Sequence, residues 1–233
     1  AIKYDNSNKY FYLLASNIYS SLGQFGKATQ VLETMLKEVK GTEAYLYDLA
    51  ALYLYDKKED EALKVYDRAE NSMGVGEVSS IQKQRIYLEK GNPEKAIAEG
   101  EKLIQAFPDE ERYLLGFADM LSRNGQTLKA ISYVENFIKN HPDAGSAKMV
   151  LAGFYRDNGQ EQKSRDYVLE VFDDPAVEVN SKILMMGVYA STLSSNKSKN
   201  ISDPALDSFV LDLFKKLETN HPSDPNVHLI GGD

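Results

Sequence analysis

Between Glu111 and Ala144 apolar and polar positions alternate with a helical period. Leu114, Phe117, Ala118 and Leu121 recur at steps of three and four, and so do Ala130, Val134 and Phe137. Gly125 separates the two stripes and Pro142 follows the second. The stretch therefore predicts two amphipathic helices of similar length joined by a tight turn. The same layout returns on both sides at a spacing of 34 residues. A single pair of such helices cannot bury its own apolar face. A period of this length predicts a stack of antiparallel pairs in which each is covered by its neighbours.

The register holds in detail. Ala28, Ala62, Ala96, Ala130 and Ser164 lie 34 residues apart, and a small side chain at one point of the second helix lets its backbone approach the first closely. Tyr19, Tyr53, Tyr87, Tyr155 and Tyr189 keep one position of the first helix, with Leu121 in the remaining place. Gly23, Gly91, Gly125 and Gly159 mark the turn inside each pair, where a positive φ is cheapest for Gly. Lys57 takes that place once. Pro108, Pro142 and Pro222 end second helices.

With these residues in hand the chain resembles the tetratricopeptide repeat family. That family's unit has a large residue, a Leu and a small residue on its first helix, then an aromatic, a Gly turn, and Ala, an aromatic and Ala on its second. Leu46, Leu49, Ala50, Tyr53, Ala62, Tyr66 and Ala69 match in the second unit, and Leu114, Phe117, Ala118, Leu121, Gly125, Ala130, Val134, Phe137 and Pro142 in the fourth. The resemblance implies an all-α, right-handed solenoid, a superhelix of antiparallel pairs, with units at 9–42, 43–76, 77–110, 111–144 and 145–178. Residues 1–8 read as the end of a preceding unit, and 179–222 as a degenerate unit with a polar loop inserted near 194–203. Residues 223–233 read as the start of a further unit, so the chain is expected to be a fragment of a longer array.

The third unit departs from the pattern. Lys83 and Gln84 stand where Leu and a small residue belong, and Gly100 replaces an aromatic. Two readings stay open: weak packing with a bend in the stack, or a rotated first helix that buries Ile81, Ile86 and Leu88 instead.

Composition narrows the function. A net charge of -8 and a pI near 5.1 argue against nucleic acid, which needs a surplus of Lys and Arg. The related helical-pair repeats that bind RNA also prefer a slightly longer period and a basic surface. No apolar run approaches the roughly 20 residues of a membrane-spanning helix. The absence of Cys excludes disulfides, thiolate catalysis and Cys-ligated zinc. It slightly favours a periplasmic or other extracytoplasmic location, with the cytoplasm still open.

Catalytic constellations are not visible. His141 and His221 sit in Asn-His-Pro turns and read as helix C-caps, no HExxH or G-x-S-x-G occurs, and Gly74-Val75-Gly76 reads as an ordinary turn. Acidic residues alternate with Lys at helical spacing, as Glu33 does with Lys37, and read as a solvated face. The formal glycosylation sequons at Asn196 and Asn200 read as chance. No enzyme activity, cofactor or metal is expected.

What remains is the concave wall that the family's first helices line. Carried onto this chain residue by residue, the resemblance implies Tyr10, Leu13 and Asn17 in the first unit and Tyr47, Asp48 and Tyr55 in the second. It adds Gln82 and Arg85 in the third, Arg112, Asp119 and Arg123 in the fourth, and Met149 and Arg156 in the fifth. Four of the six Arg fall on this set. Arg suits planar capture of a carboxylate, so the expected partner is an extended or helical protein segment of acidic character. The competing reading is that these Arg pair with local acids such as Asp119 and Asp157. The family's chaperone-tail clamp is not expected: Asn17 fits it, but Leu13, Asp48, Val78 and Gln82 do not. The chain thus reads as a non-enzymatic scaffold, or else as the accessory region of a larger protein whose catalytic or membrane module lies elsewhere. Self-association through the ends of the stack is a further expectation.

Overall fold

The computed structural model describes residues 6–231, and among these it contains helices and turns but no strand. The expectations for residues 1–5 and 232–233 lie outside the described residues. The chain divides into two compact units, one ending at Pro108 and the other starting at Asp109. The first holds α1 (Lys9–Ser21), α2 (Phe25–Glu38), α3 (Leu46–Tyr55), α4 (Glu59–Met73), α5 (Glu77–Glu89) and α6 (Pro93–Ala106). The second holds α7 (Glu111–Arg123), α8 (Thr127–Asn140), α9 (Gly145–Asp157), α10 (Glu161–Asp173), α11 (Val179–Ser198), α12 (Pro204–Asn220) and α13 (Pro225–Gly231). Consecutive helices pack in pairs, α1 on α2 and so on through α11 on α12. The fold is the all-α array of helix pairs that the periodicity predicts.

The recurrent small residue works by absence of bulk. Ala28, Ala62, Ala96, Ala130 and Ser164 are each at 0% exposure, wedged where second helix meets first. Ser164 alone brings a hydroxyl into this slot. It donates to the Ala152 carbonyl at 2.7 Å and lies 2.7 Å from Tyr189 Oη, so no polar atom is stranded.

Each pair turns through one cap geometry. Gly23 adopts φ +69°, its N–H reaches Ser20 O at 2.9 Å, and Gln24 N–H reaches back to Tyr19 O at 2.8 Å. This is a Schellman cap, which needs a left-handed residue at its second-last place. Gly91, Gly125 and Gly159 repeat it with φ between +68° and +75°. Lys57 makes the same turn at φ +57°, against its own β-carbon.

In the third unit α5 is not rotated. Ser79, Ser80, Lys83 and Ile86 face inward, while Ile81 and Leu88 are exposed. Lys83 is 1% exposed, and its ammonium lies 2.7 Å from Asp67, 3.0 Å from Glu70 and 2.9 Å from Glu99. Asp67 and Glu70 come from α4 and Glu99 from α6. The lysine stem fills the apolar slot, and its head ties two neighbouring helices to α5. Burial alone pushes the Lys83 pKa down, but hydrogen bonds to Asp67, Glu99 and Glu70 outweigh it and hold the ammonium above the usual lysine range.

The sixth unit also differs from expectation. The polarity of 194–203 predicts a loop, yet α11 continues to Ser198 and only five residues separate it from α12. No Gly stands four residues after Tyr189 to terminate the helix. It runs on to Asn200, which takes φ +57° and makes the same cap: Asn200 N–H to Lys197 O at 3.1 Å and Ile201 N–H to Asn196 O at 2.9 Å. Asn tolerates this conformation better than other residues with a β-carbon. Lys182 on α11 is buried as well, and donates to the carbonyls of Phe172 at 3.2 Å and Asp174 at 2.7 Å where α10 ends.

Candidate functional site

The candidate residues fall on α1, α3 and α5 in one unit and on α7 and α9 in the other. In the first unit, Leu13 and Asn17 of α1 meet Asp48 and Tyr55 of α3 around a cleft of about 310 Å³. Tyr55 is 70% exposed and stacks on Phe25 with ring centres 5.7 Å apart. Tyr10 is 67% exposed, and the Lys9 ammonium lies 5.6 Å from its ring centre. Tyr47 is half-buried and packs against the core of this unit. Gln82 is partly buried, and Arg85 is exposed with Glu89 at 3.9 Å.

In the second unit, Arg123 Nε contacts Asp119 at 2.9 Å one helical turn away. Arg112 lies over the Tyr113 ring at 4.4 Å, donates to Tyr113 Oη at 2.7 Å, and has Glu110 at 3.8 Å. Arg156 donates from Nε and Nη2 to one oxygen of Asp157, at 3.0 and 2.8 Å. Met149 and Arg156 border a second cleft, of about 300 Å³, between α9 and α11.

Five of the six Arg divide by what they hold. The two outside the candidate set tie helix pairs together: Arg68 on α4 bonds Glu33 on α2 at 2.7 Å, and Arg165 on α10 bonds the Ala205 carbonyl of α12 at 3.4 Å. Arg85, Arg123 and Arg156 instead contact acids of their own helix. Such exposed short-range pairs contribute little to stability. The geometry thus contains the local Asp119 and Asp157 pairings, at solvent-facing positions.

Sequence reasoning did not place Val150, Gly153, Leu184 or Val188 at a site. Leu184 and Val188 are one turn apart on the degenerate sixth unit, which lacks the Gly that would have fixed its register. His141 caps α8 as expected, its Nδ1 3.2 Å from Phe137 O and its ring stacked on Phe137 at 4.1 Å. Among the described residues no cluster of acids and His is placed to hold a metal ion, and no helix is long and apolar enough to cross a membrane.

Residues 115–176 match a family model described as tetratricopeptide repeat. Among solved structures, the C-terminal part of a TPR repeat-containing protein from Cytophaga hutchinsonii superposes with a TM-score of 0.61. It is 16% identical, and the match covers 97% of this chain and 88% of that one. YrrB, described as a TPR protein with an unusual peptide-binding site, gives a TM-score of 0.48 at 13% identity over 77% of this chain and 93% of its own. PilF of Pseudomonas aeruginosa gives 0.46 at 13% identity, over 95% of each chain. No curated protein matches the sequence.

Proposed function

We propose that this tetratricopeptide repeat protein is a non-enzymatic scaffold whose first helices hold a segment of a protein partner. The family and the fold support protein–protein interaction in general. The observation that carries the finer reading is the division among the arginines. Arg68 and Arg165 are committed to neighbouring helices, whereas Arg85, Arg123 and Arg156 present guanidinium groups paired only along their own helix. A partner carboxylate can exchange with such a short-range acid without loosening the fold, because exposed pairs are worth little to begin with. A cleft on α9, lined by Met149 and Arg156, supplies apolar contact beside one of these guanidinium groups. The partner is then a segment with acidic and apolar residues interleaved.

The test is a capture experiment with the protein as bait, its bound partner identified by mass spectrometry and the interaction remeasured with purified components. Arg112→Glu with Arg123→Glu should weaken the interaction by roughly tenfold or more, and Arg123→Glu alone should weaken it while leaving thermal unfolding unchanged. Undiminished binding by the double variant refutes the groove.

A further inference from the structure

The cleft between α9 and α11 is unlike the rest of the surface. Leu184 and Val188, on successive turns of α11, are 73% and 42% exposed, and Met149 of α9 and Met185 of α11 line the same cleft. A β-carbon added at Gly153, which also borders the cleft, would meet nothing within 4 Å, so the space there is open. Apolar side chains of this size gathered in a concavity favour an apolar occupant. Methionine adapts its shape to several.

One charged side chain borders the cleft, and it is a cation. Arg156 gives both of its hydrogen bonds to a single oxygen of Asp157, whose side chain is itself 63% exposed. A guanidinium carries five N–H donors in a planar fork, so donors remain on Arg156 for a second acceptor. The complement of this arrangement is a bulky apolar group with a negative charge beside it. At about 300 Å³ the cleft accepts one large side chain, and the exposure of Leu184 leaves it too shallow to enclose a free small molecule.

Resting on the groove reading above, we infer that the α9–α11 cleft is a subsite of the bound segment. It takes a Leu, Met or Phe side chain, with Arg156 receiving an Asp or Glu next to it in the partner's sequence. The sixth unit thus supplies apolar selectivity and the fifth supplies the charge.

The protein has six methionines, and methyl labelling of all of them reports on the cleft through Met149 and Met185. The probes are short synthetic peptides with a common Ser-Gly frame around Leu-Glu, Leu-Lys or Ser-Glu. The Leu-Glu peptide should shift the Met149 and Met185 methyl signals while leaving buried Met35 in place. The Ser-Glu peptide should not shift them, and the Leu-Lys peptide should bind roughly tenfold more weakly. Arg156→Glu should invert the order of the Leu-Glu and Leu-Lys peptides, and Leu184→Asp should abolish the shifts. Both substituted side chains reach solvent, so the fold is retained. Silence at Met149 and Met185 with every peptide, or equal affinity for Leu-Glu and Ser-Glu, overturns the subsite. Partner capture that depends on Arg112 and Arg123 but survives Leu184→Asp overturns the subsite alone. Capture indifferent to Arg112 and Arg123 overturns the groove reading.

Discussion

Replacing Lys83 with the leucine that the repeat pattern prefers should destabilise the protein. The substitution keeps the apolar stem and deletes the ammonium. Glu70 and Glu99, with side chains 11% and 8% exposed, would then be left close together without their shared cation. Removing one partner from a buried ionic cluster costs about 3–5 kcal/mol. Two observations place this case at the lower end: Asp67 is more than half exposed, and Lys102 remains 2.8 Å from Glu99. The expected loss is about 3 kcal/mol, or roughly 6–12 °C in melting temperature if the loss is felt across the whole chain. Urea unfolding gives the magnitude, and hydrogen exchange across 77–110 shows whether the loss is local to the third unit. Removing the acids as well, in Lys83→Leu with Glu70→Leu and Glu99→Leu, should recover most of it, because a packed apolar replacement of a buried cluster is near neutral. The pH dependence follows from the raised lysine pKa. The contribution is complete below the unfolded value of about 10.4 and is lost as pH rises through the folded value. The gap between wild type and Lys83→Leu should therefore be constant near neutrality and close at strongly alkaline pH. A leucine variant as stable as wild type at pH 7 would refute the reasoning.

Three other perturbations follow from the backbone and the second buried lysine. Lys57→Gly should stabilise by roughly 0.5–1 kcal/mol, since relief of left-handed strain exceeds the added freedom of the unfolded chain; the urea midpoint should rise with an unchanged slope. Gly145→Ala should destabilise by about 1–3 kcal/mol, because its β-carbon would sit 2.5 Å from Val177 Cγ2. Val177→Ala in the same background should relieve part of that loss, and a neutral single variant would refute the clash. Burial lowers the pKa of Lys182, with the charges of Asp174 and Asp173 partly opposing it. Its contribution is thus present above the unfolded value and lost as pH falls through the folded one. The advantage of wild type over Lys182→Met should grow as pH rises toward about 10.4, opposite in sign to Lys83. Urea titrations at several alkaline pH values should show this, and a flat difference would contradict it.

The elements that a one-dimensional period can encode were legible in the sequence. The slot of Ala28 and its repeats reads as a recurring absence of bulk, and the structure buries all five completely. Lys57 in a glycine's place was visible as an exception, and the backbone keeps the glycine conformation there. Lys83 was not legible, because its meaning lies in carboxylates on two other helices, Glu70 being 13 residues away. Read against the repeat alone, a lysine in a leucine position signals poor packing or a rotated helix. The length of α11 was hidden for a related reason. Polar residues in sequence look like a loop, but here the helix runs on until Asn200 takes the left-handed cap. Of the candidate wall, Leu13, Asn17, Asp48 and Tyr55 gather at one cleft and Met149 and Arg156 at another, while Tyr47 turns toward the core. The α11 side of the second cleft depends on a unit whose register the sequence states weakly.

The Lys83 cluster also bears on how such a chain can change its length. Arrays of this type grow and shrink by gain or loss of whole units, a step that is tolerated when every joint is equivalent. Here the joint is keyed. Excising the third unit would abandon Asp67 and Glu70 on the second, and copying it would set a lysine beside α6, which has Ile104 in the place of Glu70. Duplications and deletions should therefore be found elsewhere along the array, with this boundary inherited intact.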